Sequence, residues 1–148
     1  MNFRHVQAPT AVVMVRPHRF RVNSETLADN AFQSLVDLTL SDDRIAAMAR
    51  DEFDGCVEAL TGAGVTVHVF DDFGQLDTPD SVFPNNWFST HHGGRIAIYP
   101  MFAPNRRRER RADVIELLKS TYRVQEVIDY SGLEYDNLFL EGTGAMVL

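Results

Sequence analysis

Glu58–Asp72 reads EALTGAGVTVHVFDD, and Glu116–Tyr130 reads ELLKSTYRVQEVIDY. Each runs from the end of a helical pattern, through a short break, into a strand-like run that finishes in acidic residues. The pair is a degenerate internal repeat with a unit of roughly 60 residues. What lies on either side of each copy decides which fold the repeat belongs to.

Before the first copy, Ser41-Asp42-Asp43 is a helix start, because Ser or Asp accepts hydrogen bonds from the free amides of a first turn. Ile45, Ala49, Phe53, Cys56, Val57 and Leu60 then recur at helical spacing and predict one buried face. Gly62 and Gly64 end that helix. Val65–Phe70 alternates, with Val65, Val67 and Val69 on one face of a strand. Further upstream, Ala11–Pro17 is a continuous apolar run closed by proline, a buried strand, followed by a loop with a short helix around Glu25–Phe32. Between the copies, residues 71–86 are loop, dense in Asp, Gly, Pro and Asn. Trp87–Thr90 and Arg95–Tyr99 form a hairpin turned by His92-Gly93-Gly94. A helix over Arg107–Tyr122 places Val114, Leu117 and Leu118 on one face, and Arg123–Tyr130 is the next strand. Asn137–Leu140 reads as strand, Glu141–Gly144 as a tight glycine turn, and Ala145–Leu148 as a second apolar strand. Strand, helix, strand is thus followed by strand, strand, helix, strand and the opening of another pair. Two repeat units and the start of a third end on Met146-Val147-Leu148 without a polar cap, which predicts the N-terminal portion of a longer protein. On periodicity alone the plainer reading is preferred: a complete α+β domain closing on an edge strand.

The chain of 148 residues fits one domain, and its apolar content of 45 % is ordinary for a soluble protein. A net charge of -7 argues against nucleic acid or an anionic membrane as partner. There is no apolar signal core and no run near the ~20 residues needed to cross a bilayer. With one cysteine, Cys56, no intrachain disulfide forms. A cytoplasmic protein is expected.

Several groups carry potential chemistry. Cys56 falls on the apolar helix face and reads as a small core residue rather than a nucleophile. His91 and His92 are neighbours on a strand end, so they point to opposite faces and share a metal poorly; no metal site is expected. Asn105–Arg111, NRRRERR, carries six charges, five of them Arg, and reads as a solvated helix start. The segment TPDSVFPNNWFST is stiffened by Pro79 and Pro84 and presents Asp80, Asn85 and Asn86, suiting substrate recognition as well as ordinary turn chemistry. Glu141 stands before Gly-Thr-Gly, where the backbone lets a ligand approach closely and a carboxylate binds planar N–H donors.

VFPNNWFST after a strand and acidic loop, followed by FLEGTGAMVL, resembles the guanidine-modifying enzymes: the arginine deiminase, dimethylarginine hydrolase and amidinotransferase group. The likeness is nearest to the citrulline-utilisation hydrolases, or arginine-deiminase-related proteins, whose opening segment MVRPHRFRVNSETLADNAFQ also resembles. It spans essentially the whole chain. The resemblance implies an α/β fold, a partial five-bladed ββαβ propeller (a pentein) of about two blades plus the start of a third, with residues 1–148 as the N-terminal part of a single domain. It implies a hydrolase acting on a guanidinium or ureido group through a cysteine nucleophile, a histidine and carboxylates, without cofactor or metal. Residue by residue, Glu141 matches the family carboxylate. Asn86 falls near the position where many members use an aspartate to grip the guanidinium, a departure that suits a neutral ureido group. Asn85, Asp80 and Asn23 are expected pocket neighbours. No match for the family histidine or cysteine is found, so the chain by itself is expected to be inert and its open edges to self-associate. The rival expectation is a small non-catalytic α+β module that binds a ligand or partner.

Overall fold

A computed structural model of the chain describes residues 9–26 and 40–142. Its elements in order are β1 (Ala11–Pro17), α1 (Asp42–Gly62), β2 (Thr66–Asp72), β3 (Phe88–His91), β4 (Arg95–Ile98), α2 (Pro104–Arg107), α3 (Ala112–Thr121) and β5 (Glu126–Asp129). β1 and β2 pair in parallel across α1, with Val15 opposite Phe70. The second sheet runs β3-β4-β5. Its hairpin is antiparallel, with Phe88 opposite Ile98, and β4 pairs in parallel with β5, with Ala97 opposite Ile128. The fold is therefore α/β. The described residues form a βαβ unit followed by a ββαβ unit, which is the alternation that the repeat in the sequence predicts.

Local chemistry explains the boundaries. Ser41 caps α1, its side chain accepting from the Arg44 amide. At the other end the Val65 amide donates to Leu60 O at 3.0 Å and the Gly64 amide to Thr61 O at 2.9 Å. With Gly64 at φ 84°, this closes a Schellman motif and turns the chain directly into β2. The main core lies between the second sheet and α3: Trp87, Phe88, Ile96, Met101, Val114, Ile115 and Leu118 are buried together. Val13 and Phe70 of the first sheet pack against it, joining the two units.

Four sequence expectations are corrected. The helix expected over Arg107–Tyr122 is two helices, α2 and α3, separated by residues 108–111. Pro104 starts α2 and Asp113 restarts the chain as α3, its side chain accepting from the Val114 amide at 3.0 Å. Cationic residues at a helix start oppose the macrodipole, so the arginines between them occupy a turn. The strand expected over Asn137–Leu140 is absent: a 3-10 turn covers Ser131–Asp136 and ends on Asn137 in the left-handed region. The following chain is held by single bonds, Leu140 amide to Pro100 O at 3.0 Å and Gly142 amide to Asn86 O at 2.8 Å. Cys56 is exposed rather than packed in the core. A 21-residue α1 of about 31 Å outruns the two strands beneath it, of about 23 Å each, and only Ala46 and Phe53 are buried along it. The apolar run of β1 is mostly half-buried, with Val15 and Pro17 alone buried, because a two-stranded sheet covers little. Of the expected helix around Glu25–Phe32, residues 24–26 form a turn and the rest lies outside the described residues, as does the strand Ala145–Leu148.

The hairpin turn depends on two glycines that differ in surroundings. Gly93 and Gly94 have φ of 83° and 74°. A Cβ at Gly93 meets open space, whereas one at Gly94 would lie 2.2 Å from Arg123 O, since the Gly94 carbonyl accepts from the Gln125 amide to begin the β4–β5 pairing. Gly93→Ala should cost about 1–2 kcal/mol, the left-handed penalty alone. Gly94→Ala is expected to cost more, because β5 must move as well. Urea unfolding of the two variants checks this, and equal losses would show that the close approach carries no weight.

Candidate functional site

Arg106 is the centre of the site. It lies on α2, is 7 % exposed, and its guanidinium is turned inward. Nε and Nη2 donate to the two Glu109 oxygens at 3.2 and 3.1 Å, a bidentate fork. Nη2 also donates to Asn86 Oδ1 at 3.3 Å, and Nη1 to Glu141 Oε2 at 3.5 Å. Asp80 Oδ2 stands 3.9 Å from Nε. A charged group removed from water to this degree needs such partners, because desolvating it alone costs several kcal/mol.

Behind the guanidinium is a layer of amides. Asn23, fully buried, donates to Asp80 Oδ2 at 2.6 Å and accepts from Asn105 Nδ2 at 2.7 Å. Its Oδ1 also accepts from the Glu25 amide at 3.0 Å, while Glu25 Oε2 accepts from the Asn105 amide at 3.0 Å. The loop after β1 is thereby tied to the start of α2. Among the described residues, no buried side-chain polar atom lacks a partner.

Four residues singled out in the sequence, Asn23, Asp80, Asn86 and Glu141, therefore lie in one connected network. Asn85 lines a neighbouring cleft of about 930 Å3 together with Ser89, His91 and Gly142. The cleft runs between the β1 and β3 sides of the two sheets. Gly142 fits this corner because it has no side chain: a Cβ there would lie 2.4 Å from Asn85 O and 2.8 Å from the Tyr99 ring. Arg106 and Glu109 were missed as site residues. The NRRRERR run is no solvated helix start, since Asn105, Arg106 and Glu109 within it are all buried. The available signal was the Arg106–Glu109 spacing of three beside a proline, which places an ion pair on one side of a turn. The other arginines are also paired. Arg110 clamps Glu134 through both oxygens at 2.5 and 3.0 Å, Arg111 pairs with Asp113 at 2.7 Å, and Arg108 reaches the 76–77 carbonyls at 2.6 and 2.9 Å.

One cation faces three carboxylates in this network, so the site is acidic. Burial pushes the Glu109 carboxyl up to about 7, with Asp80 and Glu141 adding to the rise and Arg106 opposing it. Arg106 is raised above its ordinary value: burial opposes its charge but is outweighed by Glu109, Asp80 and Glu141. Cys56 on α1 is not among these partners, and among the described residues no group of three His, Cys, Asp or Glu is placed to hold a metal ion. No described helix is long and apolar enough to cross a membrane.

The family model of N,N-dimethylarginine dimethylhydrolase, eukaryotic, matches residues 16–148, and the chain belongs to that family. No curated protein and no solved structure matches it.

The Glu109 shift has a sign that can be tested. An ordinary glutamate loses its proton near 4.5, whereas native Glu109 holds it to about 7. Between those values the native state binds more protons than the unfolded state, so stability falls as pH rises through about 4.5 to 7. The loss from this group is at most about 3 kcal/mol. Glu109→Gln, neutral throughout, should flatten the decline. Urea unfolding at pH 5 and pH 8 of both proteins measures it, and an unchanged decline in the variant would refute the assignment.

Proposed function

We propose that this chain supplies part of the pocket of a hydrolase that acts on the guanidino or ureido group of a small arginine- or citrulline-like molecule. One observation carries the reading: Asp80, Asn86, Glu109 and Glu141 converge on a single guanidinium, Asn86 and Glu141 being next in sequence to Asn85 and Gly142 of an open cleft, and their charge exceeds that of the guanidinium they hold. Family membership supports the same substrate class.

The roles follow from what each group has left to offer. Arg106 engages Oε2 of Glu141, whose side chain is 27 % exposed. A carboxylate offers about four acceptor sites, enough to take N–H groups of a substrate as well. Glu141 is thus the carboxylate that orients the planar carbon and sustains its charge during attack. Asn86 has its amide oxygen turned to Arg106. Its NH2 is then the group that meets a ligand, and it donates to a ureido oxygen. That distinguishes this pocket from one in which an aspartate accepts from a cationic guanidinium, and it favours the citrulline-utilisation branch. Asn85, on the cleft wall, is a further substrate neighbour. Asp80 and Asn23 hold the network from behind. The proposed chemistry is that of a Cys-His-Glu hydrolase, in which Glu141 is the member this chain provides. Cys56 is an exposed residue of α1 and is not among the partners of Arg106.

Calorimetric titration with citrulline, arginine and N,N-dimethylarginine tests the reading. Citrulline should bind more tightly than arginine, and Asn86→Asp should reverse the order. Glu141→Gln should weaken every ligand by about tenfold, the value of one charge-assisted hydrogen bond. Arginine bound much more tightly than citrulline by the unsubstituted chain would count against the ureido preference. No binding of any of the three would favour a non-catalytic module. Release of ammonia from citrulline or arginine, or of dimethylamine from N,N-dimethylarginine, by this chain alone is expected to be undetectable, and measurable turnover would overturn the division of the catalytic set.

A further inference from the structure

The sheet β3-β4-β5 has two faces, and the main cluster against α3 uses one of them. Phe88, Ile96, Ile98 and Val127 pack toward α3. The opposite face carries the alternate residues, in the cross-strand rows Ser89–Ala97–Ile128 and His91–Arg95–Glu126. Tyr99 follows at the end of β4. This second face forms the floor of a pocket of about 530 Å3, separate from the Arg106 network. Its apolar walls come from Ala97, Pro100, Ile128, Leu133 and Leu140.

At one side of that apolar floor stand His91 and Tyr99, both held by Ser89 of the neighbouring cleft. Ser89 Oγ is 2.6 Å from His91 Nε2 and 2.5 Å from the Tyr99 hydroxyl, so one serine ties the imidazole and the phenol together. Arg95, directly opposite His91 on the neighbouring strand, lines the same pocket. Its Nε lies 3.4 Å from Glu126, in a pair whose side chains are each more than half exposed. Such a pair is worth little in water, and the guanidinium has five N–H donors in all.

The geometry points to a second ligand site here, for a small organic monocarboxylate with an apolar body. Its carboxylate is received by Arg95 beside His91 and the Tyr99 hydroxyl, and its apolar part lies on Ala97, Ile128 and Leu133. Convergent donors at the edge of an apolar pocket are the usual form of a small-molecule site. Glu126 selects the charge: with one carboxylate already beside Arg95, a monoanion is accepted and a phosphate dianion is repelled. His91 and Arg95 also line the cleft beside Asn85, so the two sites share an edge, while the apolar floor of Ala97, Ile128 and Leu133 belongs to this pocket alone. The inference rests on that floor and does not use the hydrolase reading.

Phenylacetate is a suitable probe, with phenylacetamide and inorganic phosphate as comparisons, in an NMR titration of the isotopically labelled chain. Phenylacetate should shift the Ala97, Tyr99, Ile128 and Leu133 resonances and bind about tenfold more tightly than the amide, the value of a charge-assisted contact. Arg95→Gln should remove that difference, and Ser89→Ala should weaken binding several-fold. Arg95 is exposed, so the variant should unfold at the same urea concentration as the parent. Equal binding of acid and amide, binding of phosphate as tight as phenylacetate, an unaffected Arg95→Gln variant, or no shift of these resonances would each overturn the site.

Discussion

The buried guanidinium of Arg106 is the constraint on which the arrangement of loops depends. A cation at this depth must be matched by acceptors, and the acceptors come from separate parts of the chain: Asp80 and Asn86 from the loop after β2, Glu109 from the turn after α2, and Glu141 from the segment before Gly142. Asn23 and Asn105 add the loop after β1 and the start of α2. These segments have little regular structure of their own. What fixes them is the requirement that every polar atom in the cluster be paired. The helices and strands provide the frame, and the ion-pair cluster decides where the connecting loops sit on it.

The cluster is poorly explained as a device for stability. Replacing a buried charged group and its partners by well-packed apolar residues is often neutral or favourable. Here the balance is worse than for a simple pair, because three carboxylates face one guanidinium, and burial raises Glu109 to about 7. A cluster that holds surplus negative charge next to a cleft lined by Asn85 and Gly142 is better explained by what it binds. The glycine at 142 fits that view. It lets Asn85 O and the Tyr99 ring approach to distances that a side chain would forbid, and so brings Glu141 close to Asn86.

Much of the frame was legible in the sequence, and much of the cluster was not. The Ser41 cap, the Gly62-Ala63-Gly64 helix end, the His92-Gly93-Gly94 turn and the two βα repeats are local signals, each complete within a few residues, and each was found where expected. Asp80, Asn86 and Glu141 stood out because they punctuate glycine- and proline-rich loops. Arg106 did not, because a basic run in a sequence looks the same whether its charges face water or a set of carboxylates up to 35 positions away. The Asn23–Asn105 pair spans 82 positions and has no local signature. The exposure of Cys56 was hidden for a related reason: helical spacing shows which residues share a face, and not how far the strands beneath extend.

Tyr99 shows how the local and long-range parts join. Its amide donates to Trp87 O at 2.9 Å, continuing the β3–β4 ladder beyond the hairpin. Its carbonyl accepts from Arg110, which also clamps Glu134 and so fixes the turn over Ser131–Asp136. Its ring packs against Gly142, next to the Glu141 carboxylate, and its hydroxyl meets Ser89 on the open face of the sheet. An aromatic side chain can serve in this way because it is rigid, has one polar tip and offers two flat faces. Phenylalanine at this position would preserve the packing and lose only the bond to Ser89. Alanine would also empty the space against Gly142, leaving the Glu141 turn without its support. The acidic cluster and the sheet face therefore meet at one ring, and that ring is positioned by a ladder hydrogen bond that joins the two strands of the hairpin.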